Sequence, residues 1–254
     1  MSIGKKKSIS LLNIQGDTMR VADKFDFKQF SVYHDRSSIK VGTDAVLVGA
    51  WADVTQAKRI LDVGTGSGVI ALMLAQRTHE TTQIDAIDIS KNDCEQAQEN
   101  IIRSPWPTRI SILHKSLQLL ENGPYDLIVS NPPYFINSYR PPTITRANAR
   151  HAETLTHHEL LFHAKRLLNP TGKVTVVLPF TEANQLQQTA ELVGFHCTKR
   201  CTFQSRIDKP IERILLEYQL IENSTNEEKL VLYDGNSEWS VAYRALTKDF
   251  YLKF

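Results

Sequence analysis

The chain has 254 residues, 41% of them hydrophobic, and a formal net charge of +2. This length suits one large domain with enough chain to bury a core. No apolar run approaches the roughly 20 residues that a membrane span needs, and no secretory leader is recognisable, so we expect a cytoplasmic protein. Three cysteines without CxxC spacing indicate neither a disulfide framework nor a zinc site.

Charge is distributed unevenly along the chain. Residues 140–213 contain 11 basic and 6 acidic side chains, whereas residues 51–139 contain 7 and 10. A basic segment is compatible with an anionic partner near a catalytic site, although scattered solvated charge explains it equally well. Residues 1–24 are polar, include three successive lysines and lack periodicity, which predicts a flexible basic arm.

A single domain is predicted over residues 25–254, divided into a helical lead-in (25–58) and a catalytic α/β core (59–254). In the lead-in, Thr43 precedes an apolar run and is the expected N-cap of a helix, with Asp44 in its first turn.

Strand and helix patterns alternate in the core. The expected elements are strands at 60–63, 84–89, 110–114, 127–130 and 174–179 and helices at 69–76, 92–102, 158–168 and 184–193. Such alternation predicts βαβ units and a mostly parallel sheet covered by helices on both faces.

The end of the chain has a different pattern. Residues 197–203 and 213–220 are predicted to form an antiparallel strand pair, which would complete a sheet of seven strands. Residues 239–254 have aromatic and aliphatic side chains three to four positions apart, which predicts a helix with one apolar face.

A glycine-rich turn, LDVGTGSG, follows the first strand of the core. Gly64, Gly66 and Gly68 would let the backbone approach a ligand closely, since a Cβ atom would collide with it. The spacing is GxGxG, which argues against a dinucleotide, and the turn alone could be only a tight connection. Asp88 ends the next strand and could accept hydrogen bonds from ribose hydroxyls. Asp62 precedes the turn and suits the amino group of a methionine moiety.

The tetrapeptide NPPY follows a later strand. Asn131 and the Pro132 carbonyl offer two acceptors, and Tyr134 offers a stacking face. Methyl transfer to a planar nitrogen requires acceptors for its hydrogens and a surface that holds its plane. With the glycine-rich turn and Asp88, the tetrapeptide predicts S-adenosylmethionine as cofactor, with Ser116 and Leu117 near its adenine.

Several blocks of sequence carry a wider resemblance. The most telling lie at residues 40–51 and 243–252, and shorter ones lie at 27–30, 34–36 and 104–106. Together with the glycine-rich turn and NPPY, they resemble the bacterial tRNA1(Val) adenine-N6-methyltransferase family over roughly residues 25–254.

This resemblance implies a Rossmann-like class I methyltransferase fold and N6-methylation of adenosine 37, next to the anticodon of valine tRNA. The residues then expected at the cofactor are Lys40, Thr43, Asp62, Gly64, Gly66, Gly68, Asp88, Ile89, Ser116, Leu117 and Asn131. No protein partner is required. The alternatives left open are a glutamine of a release factor and a guanine N2 of ribosomal RNA, whose enzymes usually carry an additional N-terminal domain.

A proline-containing segment after NPPY contains further candidates. Arg140, Arg146, Arg150 and His151 are expected to contact anticodon phosphates because of their position, and a solvated loop with ordinary arginines is the alternative. The remaining histidines lack neighbouring carboxylates or thiolates, so no metal site is predicted.

Overall fold

The structure, a computed structural model, describes residues 24–132, 155–235 and 237–253. Its strands are β1 Lys24–Asp26, β2 Ser31–Tyr33, β3 Arg59–Val63, β4 Gln83–Asp88, β5 Ile110–His114, β6 Tyr125–Ser130, β7 Leu168–Pro179, β8 His196–Gln204, β9 Arg213–Gln219 and β10 Asn226–Val231. Its helices are α1 Thr43–Trp51, α2 Val69–Arg77, α3 Lys91–Ile102, α4 His157–Leu167, α5 Phe180–Val193 and α6 Val241–Thr247.

Eight of these strands form the main sheet in the order β10-β8-β9-β7-β6-β3-β4-β5, and β1 and β2 form a separate antiparallel pair. Strands β3 to β7 run parallel, while β9 is antiparallel to both of its neighbours. The predicted mostly parallel Rossmann-like class and the antiparallel pair β8–β9 are confirmed. The sheet has one strand more than predicted, because the charged segment NEEKLV pairs with β8 as the edge strand β10.

Two apolar clusters cover the two faces of the sheet. Helices α1, α2, α3 and α6 contribute to one cluster, and α4 and α5 contribute to the other. Central strands are therefore buried on both sides, which explains their continuous apolar runs. From β3 the chain first adds β4 and β5 on one side and then returns to add β6 and β7 on the other. This change of direction opens a crevice at the carboxyl ends of β3 and β6, where such folds bind ligands.

Two predictions for the helices are wrong in detail. Gly42 is the N-cap of α1 and Thr43 is its first helical residue; Asp44 forms an ion pair with Arg213 at 2.9 Å. The last helix covers only Val241–Thr247 and not residues 239–254, because the chain after it packs against the β1–β2 pair. The lead-in likewise contains these two strands in addition to a helix.

Candidate active site

The glycine-rich turn is held directly against the end of β4. Gly64 and Thr65 donate their backbone N–H groups to the Ile87 carbonyl at 2.9 and 3.0 Å. Gly64, Gly66 and Gly68 have φ angles of +72°, +53° and +83°, a region in which side chains are strained. The turn therefore depends on glycine for its conformation as well as for space.

The three glycines do not face the same surroundings. A Cβ at Gly64 would meet nothing within 4 Å, and one at Gly66 would lie 3.8 Å from the Ser37 hydroxyl. A Cβ at Gly68 would lie 3.3 Å from the Cβ of Ala97 on α3. Gly64 and Gly66 thus leave room for a ligand, whereas Gly68 allows helix α3 to pack closely behind the turn.

Asp88 connects the turn with helix α3. Its Oδ2 accepts a hydrogen bond from Gly66 N and its Oδ1 accepts one from Ser90 N, both at 2.9 Å. Burial raises the pKa of Asp88 above its ordinary value, while these backbone hydrogen bonds lower it in part. Each carboxylate oxygen retains acceptor capacity, which suits the neighbouring hydroxyls of a ribose.

Asp62 lies beneath the turn and is fully buried. Its Oδ2 accepts from the Thr65 hydroxyl at 2.6 Å and from Ala71 N at 3.2 Å, whereas Oδ1 has no hydrogen-bond partner among the described residues. Burial raises the pKa of Asp62 to about 7 despite these bonds. The unpaired acceptor suits a cationic ligand group, but its direct contact with a methionine amino group stays a prediction.

A cavity of about 190 Å³ opens at the carboxyl ends of β3, β4 and β6. Seven of the expected residues line it, namely Gly64, Gly66, Asp88, Ile89, Ser116, Leu117 and Asn131. Asn131 directly follows β6, whose last residue Ser130 pairs with Val63 and donates its hydroxyl to the Val63 carbonyl at 2.9 Å. The amide side chain predicted to bind the acceptor and the carboxylate predicted to bind ribose therefore belong to one cavity.

Four expected cofactor residues, Lys40, Thr43, Asp62 and Gly68, do not line this cavity. Pro132 is buried beside Asn131. The predictions for Tyr134, Arg140, Arg146, Arg150 and His151 lie outside the described residues.

Sequence reasoning missed several cavity residues, of which Ser38 and Ile39 are the most informative. They come from the segment between β2 and α1 and reach the cavity only through packing on α3. Their position just before Lys40, within the resemblance, was the only available signal. Lys115, Gln118 and Leu155 also line the cavity without belonging to a recognisable motif.

In the part of the chain that the structure describes, no helix is long and apolar enough to cross a membrane. Within the same residues, no group of three or more histidine, cysteine, aspartate or glutamate side chains could hold a metal ion.

Comparison with known proteins identifies the family. The methyltransferase small domain model matches residues 34–194. The tRNA1(Val) (adenine(37)-N6)-methyltransferase of Serratia proteamaculans is 45% identical over 90% of this chain and 89% of its own, and that of Tolumonas auensis is 42% identical over 90% and 97%. The chain belongs to this methyltransferase family.

Solved structures show the same fold at much lower identity. A protein described as a predicted O-methyltransferase from Agrobacterium tumefaciens superposes with a TM-score of 0.65 at 15% identity, covering 82% of this chain and 96% of that one. A methyltransferase from Pyrococcus furiosus superposes with a TM-score of 0.53 at 20% identity, covering 72% and 89%. This chain thus shares with these two proteins the fold whose strand ends line the cavity.

The residues present fit the cofactor S-adenosylmethionine. Asp88 offers acceptors for ribose hydroxyls, Ile89 and Leu117 offer apolar surface for adenine, and the space beside Gly64 admits a ligand against the turn. The unpaired Oδ1 of Asp62 leaves one buried acceptor beneath the turn, which suits a hydrogen-bond donor of the ligand.

Proposed function

We propose that this protein transfers a methyl group from S-adenosylmethionine to N6 of adenosine 37 in tRNA1(Val), the nucleoside next to the anticodon. The observation that carries the proposal is the location of Asn131, on the same cavity as Asp88 and the glycine-rich turn. The names of relatives 42–45% identical over about 90% of the chain support the choice of acceptor.

The protein's contribution to the reaction is positioning and electrostatic complementarity. When bound, S-adenosylmethionine supplies an electrophilic methyl group. The Asn131 side-chain carbonyl and the Pro132 backbone carbonyl accept the two N6 hydrogens, which draws the nitrogen lone pair out of conjugation with the ring. Tyr134 stacks on the adenine. No strong general base is required, because the proton leaves a nitrogen that has become cationic.

The adenine has to leave its stack before N6 can reach the cavity. An enzyme cannot reach an exocyclic amine inside stacked bases, so it flips the target nucleotide out. A loop of tRNA makes this step cheaper than a duplex does, since its bases are already partly unstacked. A nucleoside in the anticodon loop is therefore a substrate whose base can be flipped into the cavity at a low cost in free energy.

We further propose that Arg140, Arg146, Arg150 and His151 contact the phosphates of the anticodon loop. Neutralising phosphates releases counterions, so tRNA affinity should fall steeply as salt rises. Replacing the three arginines by alanine should reduce that dependence. Binding that is insensitive to salt in the unmodified protein would count against these contacts.

The acceptor is tested by incubating the protein with labelled S-adenosylmethionine and with separate fractions of total RNA and total protein. Digestion of the labelled fraction should give N6-methyladenosine derived from valine tRNA. Label in methylglutamine or in N2-methylguanosine of ribosomal RNA would instead assign the enzyme to one of the other acceptors, and the Asn131→Ala variant controls for contaminating enzymes.

A further inference from the structure

Residues 33–39, here called the strap, run from the end of β2 along helix α3. Tyr33 N donates to Asn100 Oδ1 at 2.9 Å, and Asn100 Nδ2 donates back to the Tyr33 carbonyl at 2.7 Å. In the middle, Arg36 N donates to Gln96 Oε1 at 3.2 Å. At Tyr33 and Arg36, the backbone of the strap is thus hydrogen-bonded to side chains of the helix.

Asp93 binds the part of the strap that is nearest the cavity. Its Oδ1 accepts from the Ser37 hydroxyl at 2.5 Å and from Ser38 N at 2.9 Å, and its Oδ2 accepts from the Ser38 hydroxyl at 2.9 Å. Burial alone would raise the pKa of Asp93, but the hydrogen bonds from Ser37 and Ser38 outweigh it and hold the pKa below its ordinary value. A charged carboxylate therefore binds both serines, and such bonds are stronger than neutral ones.

Asp93, Gln96 and Asn100 share one face of α3, because they are three and four residues apart. All three are at most 1% exposed. A helix packed on a domain usually buries apolar side chains on that face, since unpaired buried polar groups are costly. Here the polar face is used to bind a neighbouring segment. Asn100 Nδ2 also donates to the Ser67 carbonyl at 2.9 Å, so one side chain holds both the strap and the glycine-rich turn.

The strap ends on the cavity. Ser38 and Ile39 line it, together with Asp88 and Ile89. Ile39 is 62% exposed and Ile89 is 55% exposed, so both present apolar surface to the space where the cofactor fits. Covering such surface with a ligand is favourable by roughly 25 cal/mol per Å².

We propose that the strap is a wall of the cofactor site, in which Ile39 contacts the adenosyl group of S-adenosylmethionine and Asp93 is the positioning residue that holds the strap against α3. The inference rests on the proposed function, because it takes S-adenosylmethionine as the ligand. It adds Ile39 as a cofactor contact. It also assigns to the polar face of α3 the role of holding the strap in the position where Ile39 makes this contact.

The direct test is Ile39→Ala, measured by calorimetric titration with S-adenosylhomocysteine, which binds without turnover. The side chain is largely exposed, so the variant should fold normally. We expect affinity to fall about fivefold from the lost apolar contact. The matched control is Ile102→Ala, which removes an isoleucine of 63% exposure on α3 that does not line the cavity. Equal affinities for the two variants would overturn the role of Ile39.

The positioning role is tested by comparing Asp93→Ala with Asp93→Asn. Alanine removes both carboxylate oxygens that accept from Ser37 and Ser38 and should weaken S-adenosylhomocysteine binding about tenfold or more. Asparagine keeps one oxygen for Ser37 and Ser38 N, so it should restore part of the affinity. In turnover, the KM for S-adenosylmethionine should rise while kcat at saturating cofactor stays within about twofold.

The outcomes separate this inference from the proposed function. A lower melting temperature in both Asp93 variants with an unchanged KM would make Asp93 merely structural and overturn its positioning role. Should Asp93→Ala fail to fold, the Ile39 and Ile102 pair still decides whether the strap contacts the cofactor. Normal methylation of valine tRNA by Ile39→Ala with unaltered cofactor affinity would overturn the role of the strap and leave the proposed function intact. Failure of the unmodified protein to bind S-adenosylhomocysteine would overturn both proposals.

Discussion

The sheet is built differently on the two sides of β6. On the cofactor side, β3, β4 and β5 are parallel, and most residues of the cavity lie at the end of a strand or within a few positions after it. On the other side, β7, β9 and β8 alternate in direction, and β10 completes the edge. Most residues that line the cavity on the first side can thus be predicted from short stretches of sequence. The structure of the second side depends instead on contacts between segments that are distant along the chain.

One ion pair illustrates the long-range construction of the second side. Arg213, at the start of β9, donates from Nε to both oxygens of Asp44, at 3.0 and 2.9 Å. Asp44 lies in the first turn of α1, and Arg213 pairs with Pro179 at the end of β7. No local pattern around either residue predicts this contact. Asn131, which is proposed to bind the acceptor nitrogen, follows β6, whereas the residues proposed to bind the cofactor lie at the ends of β3, β4 and β5. We therefore expect substitutions to alter methyl transfer and cofactor binding separately.

The largest effect is expected at the boundary between the two sides. Asn131→Ala should lower the rate of tRNA methylation by about a hundredfold or more, because it removes an acceptor used in the transition state. Affinity for S-adenosylhomocysteine should survive. Single-turnover kinetics and calorimetric titration measure the two quantities, with Asn184→Ala on the exposed surface of α5 as the control. Near-full turnover by Asn131→Ala would show that this side chain does not bind the acceptor nitrogen in the transition state.

Asp88→Ala should have the next largest effect, confined to the cofactor side. Loss of the ribose acceptors and of the bond to Gly66 N should weaken S-adenosylhomocysteine binding about tenfold to a hundredfold. Affinity for tRNA should change little, which filter binding can check. The exposed carboxylate Asp208 provides a control through Asp208→Ala. A loss of tRNA affinity equal to the loss of cofactor affinity would show that the role of Asp88 is not confined to cofactor binding.

Two glycines sharpen the comparison within the turn itself. Gly64→Ala should weaken cofactor binding about tenfold by placing a Cβ in the cavity, and backbone strain should lower the free energy of unfolding by about 1 kcal/mol. Gly68→Ala should lower the unfolding free energy more, by about 2 kcal/mol, since its Cβ also crowds Ala97. Urea denaturation and calorimetric titration give both values. Equal losses of affinity in the two variants would mean that the ligand does not approach Gly64.

The last expected effect concerns stability alone, as a dependence on pH. The folded pKa of Asp62 is about 7, above its ordinary value of 3.8. Between these values the folded state holds a proton that the unfolded state has lost, so stability falls as pH rises from about 4 to about 7. Over this range, the melting temperature without cofactor should therefore fall by at least about 3 °C more than it does in a variant that cannot titrate at position 62.

Asp62→Asn provides the control for that dependence. Without a titrating group at this position, the fall in melting temperature should be smaller, and the variant should gain stability relative to the unmodified protein above pH 7. An identical pH profile in both proteins would show that Asp62 does not retain a proton.

The sequence was sufficient for features that depend on neighbours along the chain. Gly64, Gly66 and Asp88 are predicted to bind the cofactor and Asn131 the acceptor nitrogen. All four line one cavity, because each lies beside the end of a parallel strand. The alternation of strand and helix patterns along the chain likewise predicted a sheet that is covered by helices on both faces.

Features set by packing between distant segments could not be predicted in this way. Ile39 reaches the cavity only because buried polar side chains of α3 bind the strap. The last helix stops at Thr247 because Tyr251 bridges to Phe27 and Phe250 accepts from Lys28 N, which competes with continued helix. Strand β10 was missed because only one face of this edge strand is buried and half of its six residues are charged.

The central claim is most directly tested on two transcripts of tRNA1(Val), one with adenosine and one with guanosine at position 37. Each is incubated with the protein and labelled S-adenosylmethionine, then digested to nucleosides. The account predicts N6-methyladenosine from the first transcript and no label from the second. Equal labelling of both transcripts, or label in any other nucleoside, would contradict it.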